Sequence, residues 1–391
     1  MKITLQFITV LIGLFYTLTI NAQWVLQISG TTQNLNSIFA TTNSSVFTVG
    51  TTGTGRKTSN SGALWSTMSL SVTTTQNSIR FINSSSGFTV GSFQDILKTI
   101  NSGSSWTNIG GGITDLNDCY FTSSSSGWVV GNIEVGYGFL YNPFTFNIIQ
   151  ISANANKVLR GIFFANSTTG WVVGDGGLII KTITNGTAWT QQTSGSTNQL
   201  NKIMFIDANN GIAVGNAGTI LKTINGGTNW TSPTSGTTQN LNAVYYADIS
   251  NIWACGDNGI ILKSSDGGLT WISETSVTTE KLNAIHGIGI TDIWACGNNG
   301  TIIYRSGTTS VFENQLKTNI SVYPSPFTDI IQIEYSKSAN IEIISVQGQI
   351  IENFTTNDTK TIIDLSKLTS GVYFMKVKTD KGIITKKLIK E

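Results

Sequence analysis

Leu241-Asn242-Ala243-Val244-Tyr245-Tyr246, Ile252-Trp253-Ala254-Cys255-Gly256, Asp257-Asn258-Gly259, Ile260-Ile261-Leu262-Lys263 and Ser264-Ser265-Asp266-Gly267-Gly268-Leu269-Thr270-Trp271 follow one another in a chain of 391 residues. The first run alternates apolar with small or polar side chains and predicts an inner strand; the second predicts its neighbour. Asn258-Gly259 supplies the positive φ angles of a two-residue hairpin turn into a third strand. The octet that follows leads into an outer strand opening at Trp271-Ile272. The unit recurs. Val/Cys-Gly pairs end at Gly50, Gly91, Gly131, Gly174, Gly215, Gly256 and Gly297, and fifteen residues after each stands Trp65, Trp106, Phe146, Trp189, Trp230, Trp271 or Phe312. Seven copies with four strands each predict an all-β chain built as a seven-bladed propeller.

A propeller must join its first blade to its last, or two sheet edges stay open. Ser29–Asn36 is identical to Ser235–Asn242, and Trp24 precedes Trp65 by one full period of 41. Trp24–Ile28 is therefore expected to complete the seventh blade, with Phe312 as the rival.

The octet has the Asp-box pattern Ser/Thr-x-Asp-x-Gly-x-x-Trp. A short Asx side chain there accepts bonds from backbone N–H groups two or three residues on. Asn60, Asn101 and Asn225 stand where Asp266 does, Thr184 replaces the Asx residue in the fourth repeat, and the third repeat lacks the box. Asn cannot act as a general acid or base, so the box reads as a turn clasp rather than a catalytic or calcium site. Trp65, Trp106, Trp189, Trp230 and Trp271 are expected to pack between blades.

Net charge is +2, which argues against nucleic acid as partner. Residues 24–310 hold 12 basic and 12 acidic side chains, whereas 311–391 hold 10 and 9 in under a third of the length. That jump marks a boundary. Lys2, the apolar run Ile8–Leu18 and Ala22 form a signal-peptide pattern. The expected plan is a signal peptide over 1–22, a propeller over 23–310, a linker over 311–319 and a small β-sandwich over 320–391. No segment after signal cleavage is long and apolar enough to span a bilayer. Cys119, Cys255 and Cys296 read as small buried hydrophobes, and one histidine, His286, cannot build a metal site alone. No metal and no cofactor are expected.

Gly170-Trp171-Val172-Val173-Gly174-Asp175-Gly176-Gly177 and Gly215 through Trp230 resemble the photosystem II assembly and stability factor family, seven-bladed propellers that share the Asp-box with bacterial neuraminidases. The resemblance covers about residues 24–310 and implies a non-catalytic propeller that docks a partner. Ile320-Ser321-Val322-Tyr323-Pro324-Ser325-Pro326-Phe327, Ile344–Gln349, Asp364–Phe374 and Lys386–Lys390 resemble type IX secretion C-terminal sorting domains; Ser325 stands where that family has Asn. This second resemblance implies a Bacteroidetes-type bacterium, handling by the type IX machinery, and a protein secreted or held at the outer-membrane surface.

Sialidase chemistry needs three convergent arginines, a Tyr nucleophile with a Glu partner, and an acid. Arg56, Arg80, Arg160 and Arg305 are the only arginines, they fall in different slots, and no Tyr–Glu pairing stands out beyond Glu134 with Tyr137. The alternative reading, an Asp-box glycoside hydrolase or lyase, is therefore the weaker one. The turns after the second strands share one face with the outer-to-inner loops such as Ser235–Asn240. They place Asp175, Asn216, Asp257, Asn258, Asn298 and Asn299 around a polar mouth suited to a protein or glycan partner, and no catalytic residue is assigned.

Overall fold

The computed structural model describes residues 23–110, 114–132, 138–142, 147–150, 157–307, 321–334, 339–345, 349–356, 358, 360–379 and 382–391. The signal-peptide reading of 1–22, the 311–319 linker, Phe146, Phe312, Glu134 and Tyr137 lie outside them. The chain divides into two compact units between Thr309 and Ser310.

The first unit is a seven-bladed propeller of antiparallel sheets. Blade 6 shows the pattern: inner strand Leu241–Tyr246, then Ile252–Gly256, Ile261–Ser264 and outer strand Ile272–Glu274. Blade 5 ends in an outer strand reduced to one bridge, Lys222 to Thr231. The loop after the second strand is longer than the expected two-residue hairpin turn. Asp257–Gly259 forms a single 3₁₀ turn, with Asn258 at φ 55° and Gly259 at φ 69°, so three residues make the reversal.

The periodic glycines have a different cause. Gly256 is extended, at φ −169°, and needs no left-handed freedom. A Cβ there would stand 1.9 Å from the Asn240 carbonyl oxygen, and the other six glycines meet the matching carbonyl at 1.9–2.3 Å. Only glycine tolerates that approach. Opposite it the inner strand bulges, with the register slipping between Leu241 and Ala243.

Blade 7 is Leu282–Ile288, Asp292–Gly297 and Ile302–Ser306, completed by Trp24–Gln27 from the other end of the propeller. Trp24 pairs with Arg305 and Gln27 with Ile302. Trp24 is 1% exposed and packs on Trp253 and Cys255 of blade 6. The tryptophan slot does the same elsewhere: Trp65 packs on Trp294 and Ile302 of blade 7, and Trp271 on Ile212 and Val214 of blade 5. Each aromatic thus fills the seam to the preceding blade. At three of these seams a Gln or Glu of that blade latches the indole: Gln27 accepts from Trp65 Nε1 (3.0 Å), Gln192 from Trp230 (3.3 Å) and Glu274 from Trp24 (2.9 Å).

In the Asp-box, Asp266 Oδ1 accepts from the N–H groups of Leu269 (3.0 Å) and Thr270 (2.9 Å), while Oδ2 accepts from the Thr270 hydroxyl (2.6 Å). Asn60, Asn101 and Asn225 repeat the clasp, and Thr184 Oγ1 substitutes by accepting from Ala188 N–H at 3.0 Å. The hydroxyl that opens the box is its buried half. Ser264 Oγ donates to Asp266 and accepts from Gly268 N–H at 2.7 Å; Thr58, Thr99, Thr182 and Thr223 accept from the matching glycine.

The second unit is a β-sandwich. One sheet holds Ser321–Tyr323, Ile330–Glu334 and Lys360–Asp364. The other holds Ala339–Ser345, Ile350–Thr356, Gly371–Thr379 and Gly382–Lys390. Ile331 and Ile363 from the first face Ile341, Ile343 and Met375 from the second in one core.

Two stability tests follow. Trp24→Ala removes a fully buried indole and its bond to Glu274. It should cost about 3–5 kcal/mol, whereas the exposed Leu26→Ala should stay near the parent. Equal melting temperatures for the two would show that Trp24–Gln27 does not close the ring. Ser264→Ala leaves Gly268 N–H without an acceptor and should cost about 1–2 kcal/mol. Asp266 is held below the usual carboxylate range, first by the Thr270 hydroxyl and N–H and then by Ser264. Its stabilisation is therefore full above about pH 4 and fades as pH falls below that. Asp266→Asn should flatten the acid limb of a melting-temperature profile; parallel profiles would refute the clasp's charge dependence.

Candidate binding site

The inner strands set three rings of side chains around the channel. The outermost consists of the bulge residues Asn36, Asn77, Asn117, Arg160, Asn201, Asn242 and Asn283. A bulged residue is released from the ladder, so its side chain is free to cross to the next blade. Six asparagines do so. Their Nδ2 groups donate to the carbonyls of Gln76, Leu116, Leu159, Leu241, Leu282 and Leu35 at 2.7–3.1 Å. Arg160 breaks the series and pairs with Asp175 at 2.6 Å.

The predicted mouth residues gather here, most of them as supports. Asp175 holds Arg160. Asn216 and Asn298 accept from ring residues Asn201 (3.0 Å) and Asn283 (3.1 Å). Asp257 accepts from Asn240 (2.9 Å) and Asn242 (3.0 Å), and Asn258 donates to Gln239 at 2.9 Å. Asn299 donates its backbone N–H to Asn34 Oδ1 at 3.0 Å. Burial pushes the Asp257 carboxyl up, but the bonds from Asn242 and Asn240 and the nearby Lys281 ammonium bring it below its ordinary value. Of the six, Asn216 lines the mouth itself, a cavity of about 370 Å³ walled also by ring asparagines, Gln199, Asn240 and Lys281. The sequence reading missed the ring. Its signal was the Leu-Asn pair that heads five of the seven repeats.

Beneath the ring lies a chamber of about 240 Å³ that shares Asn77, Asn117, Arg160, Asn201, Asn242 and Asn283 with the mouth. Its second ring holds Asp118, 2% exposed, which accepts from Ser78 Oγ (2.8 Å), Ile162 N–H (3.0 Å) and Lys202 Nζ (2.8 Å). The third ring, at the fifth position of each inner strand, is Phe39, Arg80, Tyr120, Phe163, Met204, Tyr245 and His286, of which Phe39, Arg80, Phe163, Met204 and His286 line the chamber. His286 stacks on Phe39 with centroids 4.1 Å apart, and its Nδ1 accepts from Ala40 N–H at 3.2 Å, leaving the ring proton on Nε2. Burial, helped by Arg80 and Lys202, lowers its pKa to about 3. Burial likewise pushes the Cys119 and Cys296 thiols up to about 12, so both stay protonated; all three cysteines are free and buried. Among the described residues no group of three His, Cys, Asp or Glu side chains is placed to hold a metal ion, and no helix is long and apolar enough to cross a membrane.

Residues 142–235 and 193–272 match the Photosynthesis system II assembly factor YCF48 family model, and residues 321–391 match the Secretion system C-terminal sorting domain. The chain carries a YCF48-like propeller and a sorting-domain tail. The tail marks it for type IX export, and so as a secreted or cell-surface protein. None of the curated proteins compared matches the chain. Among solved structures, YCF48 from Cyanidioschyzon merolae is 16% identical with a TM-score of 0.60, covering 73% of this chain and 99% of its own. A YCF48 bound to D1 peptide is 20% identical at TM-score 0.59, with 73% and 97% covered. The WD40 propeller of Doa1 is 13% identical at 0.58, with 73% and 98% covered. Likeness at these identities establishes the propeller fold of the YCF48-like unit.

The buried imidazole gives a pH test. The unfolded chain takes up a proton at His286 as pH falls below about 6.5, whereas the folded chain resists until about pH 3. This contribution to stability is whole above pH 6.5 and shrinks between 6.5 and 3. His286→Phe should lose less stability than the parent between pH 7 and pH 4.5 in urea titrations; equal losses would place the imidazole in solvent.

Proposed function

We propose that the protein is a secreted or surface-displayed binding module that does no chemistry and docks a protein or glycan partner at the mouth of the propeller. The ring of six asparagines carries this reading. Their amides are fixed by backbone carbonyls, which leaves a rigid, polar, pre-ordered surface around an open mouth. Such preorganisation lowers the ordering cost of docking. Lys281 and Lys157 flank the mouth and supply positive charge. A similar solved propeller is described as bound to a peptide, which supports a peptide segment as the first ligand to try.

The hydrolase alternative draws less support. Asp118 is the one carboxylate among the described residues lining the chamber, and Lys202 and Ile162 N–H already engage it. Paired-carboxylate hydrolysis needs a second acid across the substrate. The tail supports presentation at the outer-membrane surface of a Bacteroidetes-type bacterium, with the N-terminal 22 residues as signal peptide.

The test is binding of the full chain to peptide and glycan arrays. Lys157→Glu with Lys281→Glu should weaken an anionic or polar hit about tenfold or more, since opposed charge acts strongly at a mouth. Lys98→Glu, whose parent side chain reaches Ser124 on the opposite face, should leave it unchanged. Binding indifferent to the mouth pair would overturn the assignment.

A further inference from the structure

Three of the four arginines have acceptors. Arg56 donates to Thr67 and Gly30, Arg160 to Asp175, and Arg305 to the Ile290 carbonyl beside Glu274. Arg80 has none among the described residues. Its guanidinium lies 3.5 Å from the Tyr120 ring centroid, with Phe39 at 5.8 Å and Phe163 at 6.0 Å. Aromatic faces hold a guanidinium in place without using its N–H donors, which lie in the plane at its edge. The other charges of the chamber are matched, Asp118 by Lys202 and Arg160 by Asp175. One positive charge is left over, on the group best shaped to grip a carboxylate through two parallel bonds.

We propose that the chamber is a carboxylate site in which Arg80 receives a small organic acid of about sugar-acid size. The volume of about 240 Å³ suits a ligand of that scale and no macromolecule. Phe39 and Phe163 offer flat apolar walls to ring C–H groups. His286, which stacks on Phe39 and lines the chamber, offers its Nε2–H as a second donor for the ligand. The asparagine ring overhead presents amides to hydroxyls. The site is a pocket in its own right, beyond the docking mouth, and stands whether or not the mouth takes a partner.

His286 is the only histidine in the chain, so its ring resonances report on the chamber without assignment. With the full-length protein, sodium glucuronate should shift the His286 ring signals saturably. Acetate should shift them at higher concentration, and glucose should not. Arg80→Met should weaken glucuronate binding about tenfold or more, the scale of a lost charge-assisted pair. Arg80→Lys should retain part of it, and Arg56→Gln should change nothing. The proposal fails if glucuronate moves nothing, if glucose acts as glucuronate does, or if Arg80→Met binds as the parent does. Should Arg80→Met not fold, the comparison of the three ligands on the parent chain still decides. Lys98→Glu, on the face away from the mouth, should leave glucuronate binding in place.

Discussion

Seven times in this fold a backbone carbonyl presses against the glycine at the end of a second strand, closer than any side chain allows. The rest of the channel depends on that contact. It holds the head of the inner strand against its neighbour, so the register slips by one residue and the next side chain leaves the ladder. That side chain is the asparagine that reaches the following blade. Glycine, bulge and asparagine are therefore one device, and they explain why a period of about 41 residues is marked most clearly by a residue with no side chain. A net gain of about 1 kcal/mol for each asparagine bond would be modest. Its larger effect is geometric, since six such bonds fix the rotation of one blade on the next.

The blades are joined a second time, farther from the axis. The aromatic of each Asp-box fills the seam to the blade before it, and a Gln or Glu on that blade's outer strand anchors several indole N–H groups. The closing blade uses the same parts in a different order along the chain. Trp24 and Gln27 precede everything else, yet Trp24 seals the seam between blades 6 and 7, and Gln27 latches Trp65. Those four residues thus serve three blades. A ring closed this way converts the exposed edges of its first and last blades into interior pairing.

The architecture was legible in the sequence because the repeat is a spacing, and spacing survives substitution. The duplicated Ser-Gly-Thr-Thr-Gln-Asn-Leu-Asn run and the 41-residue step from Trp24 to Trp65 favour Trp24 over Phe312 for blade 7, and the pairing of Trp24 with Arg305 decides between them. The candidate site was less legible, for a physical reason. Asp257 and Asn298 looked like ligand-facing turn residues, but their acceptor oxygens are engaged by asparagines whose positions depend on a bulge. A bulge leaves no mark in hydrophobic alternation. The length of the turn was likewise misjudged: Asn-Gly signals positive φ, and here it does so inside a 3₁₀ turn that also takes in Asp257.

A repeat that is satisfied seven times over builds a scaffold; chemistry requires places where the repeat is broken. In the inner strands these breaks fall together. Position two changes from Asn to Arg only at Arg160. Position three is small or neutral except at Asp118 and Lys202, which find each other across the channel. Position five is aromatic or Met except at Arg80 and His286, which share the Phe39 ring. Local packing of a blade does not require any of these charges, since the corresponding Asn, Ser, Ala and Phe residues serve in the neighbouring blades. Burying a charge costs free energy unless something answers it. Asp118, Lys202 and Arg160 are answered within the fold, and the imidazole avoids the cost by staying neutral. Among the described residues Arg80 alone has aromatic faces and no acceptor beside its charge, so the channel as built is asymmetric in potential as well as in shape, and that asymmetry is what a ligand entering through the asparagine ring would meet.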